Sequence, residues 1–126
     1  MELYKLTAHE LHDKLVNKEI SSVELTNACF ARIDEVEDQV KAYVTLDREG
    51  ALAQAAKVDA KIAAGEAIAP LAGVPGAIKD NISTKGLRTT CSSKMLDNFI
   101  PIFDAHVIKN LRADETIFLG KTNLDE

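Results

Sequence analysis

Apolar residues in the first 64 positions recur at helical spacing. Leu11 and Leu15 form a first stripe, residues 25–40 carry a longer one, and residues 52–62 carry a third within an alanine-rich run. Spacings of three and four residues place side chains on one face of a helix. Gly65, a residue typical of helix C-termini, follows the third stripe. The pattern predicts three helices, each with one apolar face.

Two polar motifs indicate where helices begin. Thr7 and Glu10 have the spacing of a capping box, in which the threonine side chain accepts from the third helical amide and the glutamate reaches back. Ser21 and Glu24 repeat that spacing ahead of the second stripe. We therefore expect one helix to begin directly after Thr7 and another directly after Ser21.

The residues after Gly65 differ in composition from those before it. Glycine and proline are frequent in residues 65–81, which favours turns, and residues 83–94 are rich in serine and threonine. Short β-branched or aromatic runs at residues 41–47 and 116–120 predict strands, the first of them alternatively an extended link. Ala77 and Ile78 predict another strand, which ends at Lys79. Asp104 is expected to cap a helix.

These elements predict an α/β fold that is incomplete within this sequence. A helical N-terminal region, residues 1–66, precedes an α/β unit in residues 67–126. The strand at residues 116–120 is followed by no closing helix, so its apolar side chains would lack cover. No internal repeat is present.

Charge and composition exclude several classes of protein. The 126 residues include 15 basic and 20 acidic side chains, for a net charge of -5, which argues against a general nucleic-acid-binding surface. No apolar run has the roughly 18 residues of a membrane span, and the charged N-terminus is unlike a secretory signal. Two isolated cysteines fit a reducing compartment. A cytoplasmic location is the expectation.

Several candidate motifs fail their spacing tests. Gly120 to Thr122 read G-K-T, but a phosphate loop would need glycine where Glu115 stands, so a turn at a strand end is predicted. His9 and His12 lie three residues apart, whereas the zinc helix needs four, so a solvated helix start is expected. His106 is interpreted as structural or exposed, and Cys91 as an ordinary cysteine. No metal ligand is predicted.

Lys79 is the candidate that remains. Most lysines are solvated charges, and that alternative stays open on pattern alone. Lys79, however, ends an apolar strand, follows a Gly/Pro turn and precedes a polar loop with many hydroxyl groups. Burial would disfavour its ammonium form and lower its pKa, which would let the neutral amine act as a base. Nearby hydroxyls would then suit the chemistry of a serine–lysine hydrolase.

Two stretches also carry a family resemblance. Residues 71–96, with G-V-P-G-A-I-K-D-N, and residues 103–126, which end G-K-T-N-L-D-E, resemble the amidase signature family. Within it the resemblance is greatest to the A subunits of glutamyl-/aspartyl-tRNA amidotransferases, and it extends over the helical start. It implies that residues 67–126 begin an α/β amidase core. The run at residues 113–115, A-D-E, departs from the glycine-containing turn usual there.

The resemblance implies a serine–serine–lysine triad with Lys79 as the general base or charge relay. The two serines would belong to a Gly/Ser-rich segment that these 126 residues do not contain, and Ser92 and Ser93 do not match it. The chain alone is therefore expected to be inactive. No binding residue is assigned.

The same resemblance implies a function and partners. The parent enzyme would hydrolyse glutamine and supply ammonia for converting glutamyl-tRNA(Gln) to glutaminyl-tRNA(Gln), and aspartyl-tRNA to asparaginyl-tRNA. It would work in a heterotrimeric complex, with no cofactor in this subunit, ATP and Mg used by a partner, and tRNA bound through a partner. Alternatives are a stand-alone hydrolase of small amides and a non-catalytic assembly fragment, for which self-association is plausible.

Overall fold

A computed structural model describes residues 2–124 as a mixed α/β structure, as the sequence predicts. Within that range the helices and strands follow in the order α1 (Ala8–Val16), α2 (Ser22–Val40), β1 (Tyr43–Leu46), α3 (Arg48–Ala63), β2 (Pro75–Lys79), α4 (His106–Ala113) and β3 (Ile117–Thr122). Single 3₁₀ turns occur at Leu3–Lys5 and Lys94–Leu96. The last two residues of the G-K-T-N-L-D-E motif, Asp125 and Glu126, lie outside the described residues.

The helix starts predicted after Thr7 and Ser21 are confirmed. The Thr7 side chain accepts from the Glu10 amide, and the Glu10 carboxylate accepts from the Thr7 amide, so the capping box is complete. The Ser21 hydroxyl accepts from the Glu24 amide at the start of α2. Gly65 follows the end of α3 with a positive φ, in the left-handed conformation that glycine adopts without steric cost.

The three strands form one mixed sheet with β3 in the centre. β1 pairs with β3 antiparallel and β2 pairs with β3 parallel. β1 precedes residue 66 in the sequence, so the sheet draws strands from both sides of that position. Because each edge strand, within residues 2–124, pairs with no strand except β3, the backbone of β3 determines where β1 and β2 lie.

The expectation that the apolar side chains of β3 would lack cover is wrong, because other side chains cover both faces of the strand. Ile117 and Leu119 pack with buried residues of α2 and α3, among them Phe30. Phe118 packs on Ile108 of α4, together with Ile78 of β2. A further cluster, formed by Leu11, Leu15, Leu25 and Val74, joins α1 to α2. Alternate residues of β3 thus serve two different layers, as alternation in a strand requires.

Two predictions about local structure are wrong. Asp104 does not cap α4, whose N-cap is Ala105 without a side-chain cap bond. The Asp104 carboxylate instead accepts from the Lys85 amide and from Arg112 Nε, at 2.7 and 2.8 Å. The G-K-T residues are also not a turn, because they continue β3 through Thr122. In both cases hydrogen bonds to residues distant in the sequence outweigh the local pattern that predicts a cap or a turn.

Gly120 of β3 faces the backbone of β1 with no room for a side chain. A Cβ built on Gly120 would lie 2.1 Å from the Thr45 carbonyl oxygen, an atom of the neighbouring backbone that cannot rotate away. A Cβ on Gly76 in β2 would lie no closer than 3.8 Å to any atom. The two glycines are both in strands but differ in the space around them.

We therefore predict that Gly120→Ala destabilises the fold by about 3 kcal/mol, since the backbones of β1 and β3 must separate. Gly76→Ala, the matched control, should change the free energy of unfolding by less than about 1 kcal/mol. Urea-induced unfolding of the purified protein measures both values. Equal effects of the two substitutions would show that the Thr45 contact is unimportant.

Candidate functional site

Lys79 is the last residue of β2 and is exposed, whereas its neighbours Ile78 and Asp80 are buried. Successive side chains in a strand point to opposite faces, so Lys79 lies on the face opposite to Ile78 and Asp80. Across the ladder its partner is Thr122 at the end of β3. The sheet thus presents Lys79 at the carboxyl ends of two parallel strands.

Backbone hydrogen bonds hold the chain on both sides of Lys79. The Lys79 carbonyl accepts from the Ile82 amide at 3.1 Å, which closes a tight turn. The Asp80 amide donates to the Thr122 carbonyl at 2.9 Å and so extends the ladder by one bond. The Asp80 carbonyl accepts from the Cys91 amide at 3.0 Å. This bond brings the far end of the polar loop, residues 80–93, back to the strand.

The buried lysine of this region is Lys121, not Lys79. The pairing of β2 with β3 shifts by one residue after Gly76, so that Ile78 faces Lys121. A bulge of this kind re-aims the side chains that follow it. The Lys121 side chain is fully buried.

Lys121 uses all three ammonium protons within the polar loop. Its Nζ donates to the Ile82 carbonyl at 2.7 Å, to Thr84 Oγ1 at 3.0 Å and to Thr89 Oγ1 at 2.9 Å. A lysine ammonium has three donors, so these bonds satisfy it completely. One buried cation therefore ties together three points of the chain between Lys79 and Thr90.

Asp80 supplies the opposing charge and is also fully buried. Its Oδ2 accepts from the amide and from the hydroxyl of Thr90. Its Oδ1 lies 3.9 Å from Lys121 Nζ and has no hydrogen-bond partner among residues 2–124. Burial lowers the pKa of Lys121, and the nearby Asp80 and Cys91 oppose that shift. The two side chains form a buried ion pair.

The polar loop predicted after Lys79 divides into two groups. Thr84, Thr89 and Thr90 turn inward and complete the bonds of Lys121 and Asp80. Ser92 is exposed and donates to Asn123 Oδ1 at 2.9 Å. The loop that the sequence associates with Lys79 is thus organised around a second lysine. The sequence does not single out Lys121, because its burial depends on the register between β2 and β3, which a local pattern cannot show.

Hydrogen bonds from Arg88 and from the Lys85 amide attach the loop to the rest of the molecule, and an ion pair supports each of them. Arg88 donates to Thr45 Oγ1 of β1 at 2.9 Å and pairs with Asp97. Asp104 joins the Lys85 amide to Arg112 of α4. Burial raises the pKa of the Asp104 carboxyl, but the Lys85 amide and Arg112 outweigh that effect and hold the pKa below its ordinary value.

The other candidates from the sequence remain apart from this site. His9 and His106 are exposed, and His12 is half-buried on α1. Cys91 is exposed in the loop. Across residues 2–124 no three histidine, cysteine or acidic side chains are grouped so that they could hold a metal ion. No helix in the same range is long and apolar enough to cross a membrane.

Comparison with known proteins gives consistent matches. The family model described as Amidase matches residues 24–126. Over all 126 residues the chain is 56% identical to the A subunit of glutamyl-tRNA(Gln) amidotransferase from Desulforudis audaxviator. It is 57% identical to the corresponding protein of Carboxydothermus hydrogenoformans. In both cases it covers 26% of the relative's length, so the chain spans about a quarter of these relatives.

Solved structures of amidases also match the fold of this chain. The native peptide amidase of Stenotrophomonas maltophilia superposes with a TM-score of 0.90 at 32% identity, over 97% of this chain and 25% of that one. A fatty acid amide hydrolase superposes with a TM-score of 0.90 over 98% of this chain and 22% of that one, and its 24% identity supports the fold alone.

The lowered pKa of Asp104 predicts how its contribution to stability depends on pH. A carboxyl group whose pKa is lower in the folded state stabilises the fold above its unfolded pKa, and this stabilisation is lost as pH falls through the folded value. The advantage of the wild type over Asp104→Asn should therefore be constant near neutral pH and shrink below about pH 4. Urea unfolding at several pH values measures it.

Asp38→Asn serves as the control, because Asp38 is exposed on α2. That substitution should show little change in stability at neutral pH. An Asp104→Asn variant as stable as the wild type at pH 7 would contradict the role given to Asp104.

Proposed function

Because the chain belongs to the amidase family, we propose that it carries the lysine of a serine–serine–lysine triad in the glutamine-hydrolysing subunit of a tRNA amidotransferase. The observation that carries this proposal is the identity of more than half of all residues, along the whole chain, with the A subunits of such enzymes. These residues correspond to about a quarter of those subunits, so the activity of the whole protein is part of the proposal.

Lys79 is the residue that we assign to catalysis. It stands at the carboxyl end of β2, the strand that begins at Pro75, at an edge where ligands of parallel sheets bind. It would act as the general base or charge relay toward a bridging serine, which would in turn take the proton of a nucleophilic serine. That serine would attack the glutamine side-chain amide, and the C–N bond would break as the proton taken from the serine passes to the nitrogen, which leaves as ammonia. Water would then hydrolyse the glutamyl ester on the serine and release glutamate.

The released ammonia defines the partners in this proposal. A second subunit would use ATP and Mg²⁺ to activate the side-chain carboxylate of glutamyl-tRNA(Gln), or of the corresponding aspartyl-tRNA, and ammonia would displace the activated group to form the amide. Transfer RNA would bind mainly through that partner, consistent with the net charge of -5 on this chain. The cytoplasm is the proposed compartment, and this subunit itself would need no cofactor.

The similarity to a peptide amidase favours a second candidate, a free-standing hydrolase of small amides. The two candidates differ in association. An amidotransferase subunit should copurify with a small partner and a tRNA-binding one, whereas a free-standing amidase should purify alone and hydrolyse amides without them. The higher identity to the amidotransferase subunits favours the first candidate.

We predict that the purified 126-residue chain does not hydrolyse glutamine. We assign neither serine of the triad to this chain, and a base without its nucleophile cannot form an acyl-enzyme. Release of ammonia from glutamine, followed with a coupled dehydrogenase, measures this activity. Turnover above the blank would show that the nucleophile lies within these residues.

In the full-length subunit within its complex, Lys79→Ala should lower kcat for glutamine hydrolysis by about 10³-fold or more, since members of such triads act as a unit. The matched control is Lys109→Ala, because Lys109 is exposed on α4, and it should keep wild-type activity. If Lys79→Ala lowers kcat only a few-fold, Lys79 is an ordinary solvated lysine and not the catalytic base.

A further inference from the structure

We propose that Lys121 is a positioning residue for the catalytic amine of Lys79. This inference rests on the proposed function of Lys79. Lys121 lies on the opposite face of the sheet from Lys79 and is fully buried, so it would touch neither glutamine nor the reacting serines. Its effect would pass through the turn that begins at Lys79.

The path from Lys121 to Lys79 is short and fully hydrogen-bonded. Lys121 Nζ donates to the Ile82 carbonyl at 2.7 Å, and the Ile82 amide donates to the Lys79 carbonyl at 3.1 Å. The same ammonium faces the carboxylate of Asp80, the residue that follows Lys79. One end of the turn after Lys79 is thus hydrogen-bonded to this buried cation, and the other end carries its countercharge.

The far end of the loop depends on the same charge pair. Cys91 and Ser92 both have positive φ values, in left-handed conformations that are costly for residues with side chains. Such backbone persists only where its surroundings hold it. Here the Asp80 carbonyl accepts from the Cys91 amide, and Thr90 Oγ1, itself bonded to Asp80, accepts from the Ser92 amide.

The burial of Lys121 indicates that its ammonium has a role beyond filling space in the core. Removing a lysine ammonium and a carboxylate from water is costly, and apolar side chains of similar volume often stabilise a core at least as well. A simple filler at this position would be apolar, as Ile108 and Phe118 are in the adjacent cluster. The ammonium instead fixes three acceptors in the loop with directional bonds.

Reaction rates are sensitive to such positioning. A displacement of about 1 Å in a catalytic group can cost roughly 100-fold in rate. Lys79 has a long side chain whose root is the Lys79–Asp80 backbone, so a shift of that turn moves the amine relative to the serines. The expected defect is therefore in kcat for glutamine, with the binding of glutamine little changed.

The test uses the full-length subunit in its complex and compares two donors of nitrogen, glutamine and an added ammonium salt. Ammonium bypasses glutamine hydrolysis but still requires the folded, assembled complex. Lys121→Met should lower kcat with glutamine by about 100-fold while KM changes less than about 3-fold. The ammonium-dependent rate should stay at the wild-type level. Lys109→Met is the matched control and should leave both rates unchanged.

A second pair of variants covers the case in which Lys121→Met does not assemble. Thr89→Val removes one acceptor of Lys121 with little change in shape, and it should lower the glutamine-dependent kcat by about 10-fold. Thr89→Ser keeps the hydroxyl and should restore the rate. Such rescue would not follow if Thr89 only filled space.

The possible outcomes separate this inference from the proposed function. If Lys79→Ala abolishes glutamine hydrolysis but Lys121→Met and Thr89→Val keep wild-type kcat, the positioning role of Lys121 is overturned alone. Equal losses with glutamine and ammonium would also overturn it, because they would show a general defect of the fold. If Lys79→Ala stays active, the proposed function and this inference both fail.

Discussion

The buried ammonium of Lys121 is the interaction on which the site depends. Its three bonds and its charge pair with Asp80 join the central strand to the loop that follows β2. A charge buried in this way is tolerated only when it is hydrogen-bonded and paired with an opposite charge. The loop between Lys79 and Thr90 must therefore return to the same place, and that requirement fixes the turn that carries Lys79.

The sheet makes this arrangement possible. The one-residue shift between β2 and β3 carries Lys121 to the same register as Ile78, on the side of α4. Gly120, directly before it, lets β1 approach closely enough to complete the sheet. A charged residue inside the central strand is thus supported from both edges. Packing of α2 and α3 on the other face of β3 holds that strand still.

Local signals in the sequence are sufficient to predict most helices and strands and to place Lys79 at the end of a strand. Thr7 and Ser21 marked helix starts because capping bonds lie within three residues. The burial of Lys121 and the role of Asp104 depend on contacts between residues that are distant in the sequence. Lys121 is buried because of a register shift between two strands that are far apart in the sequence, and Asp104 serves the distant Lys85 amide instead of its own helix. The assignment of Lys79 to catalysis rests on family resemblance and stays a prediction.

Hydrogen exchange of the full-length protein tests the role of Lys121 most directly. If its ammonium holds the loop, Lys121→Met will accelerate exchange at the amides of Ile82, Thr90 and Cys91, which bond to Lys79 or Asp80. Peptides from α2 and α3 will exchange as in the wild type. Unchanged protection of the three loop amides, or equal acceleration throughout the molecule, would contradict the conclusion that Lys121 fixes the turn at Lys79.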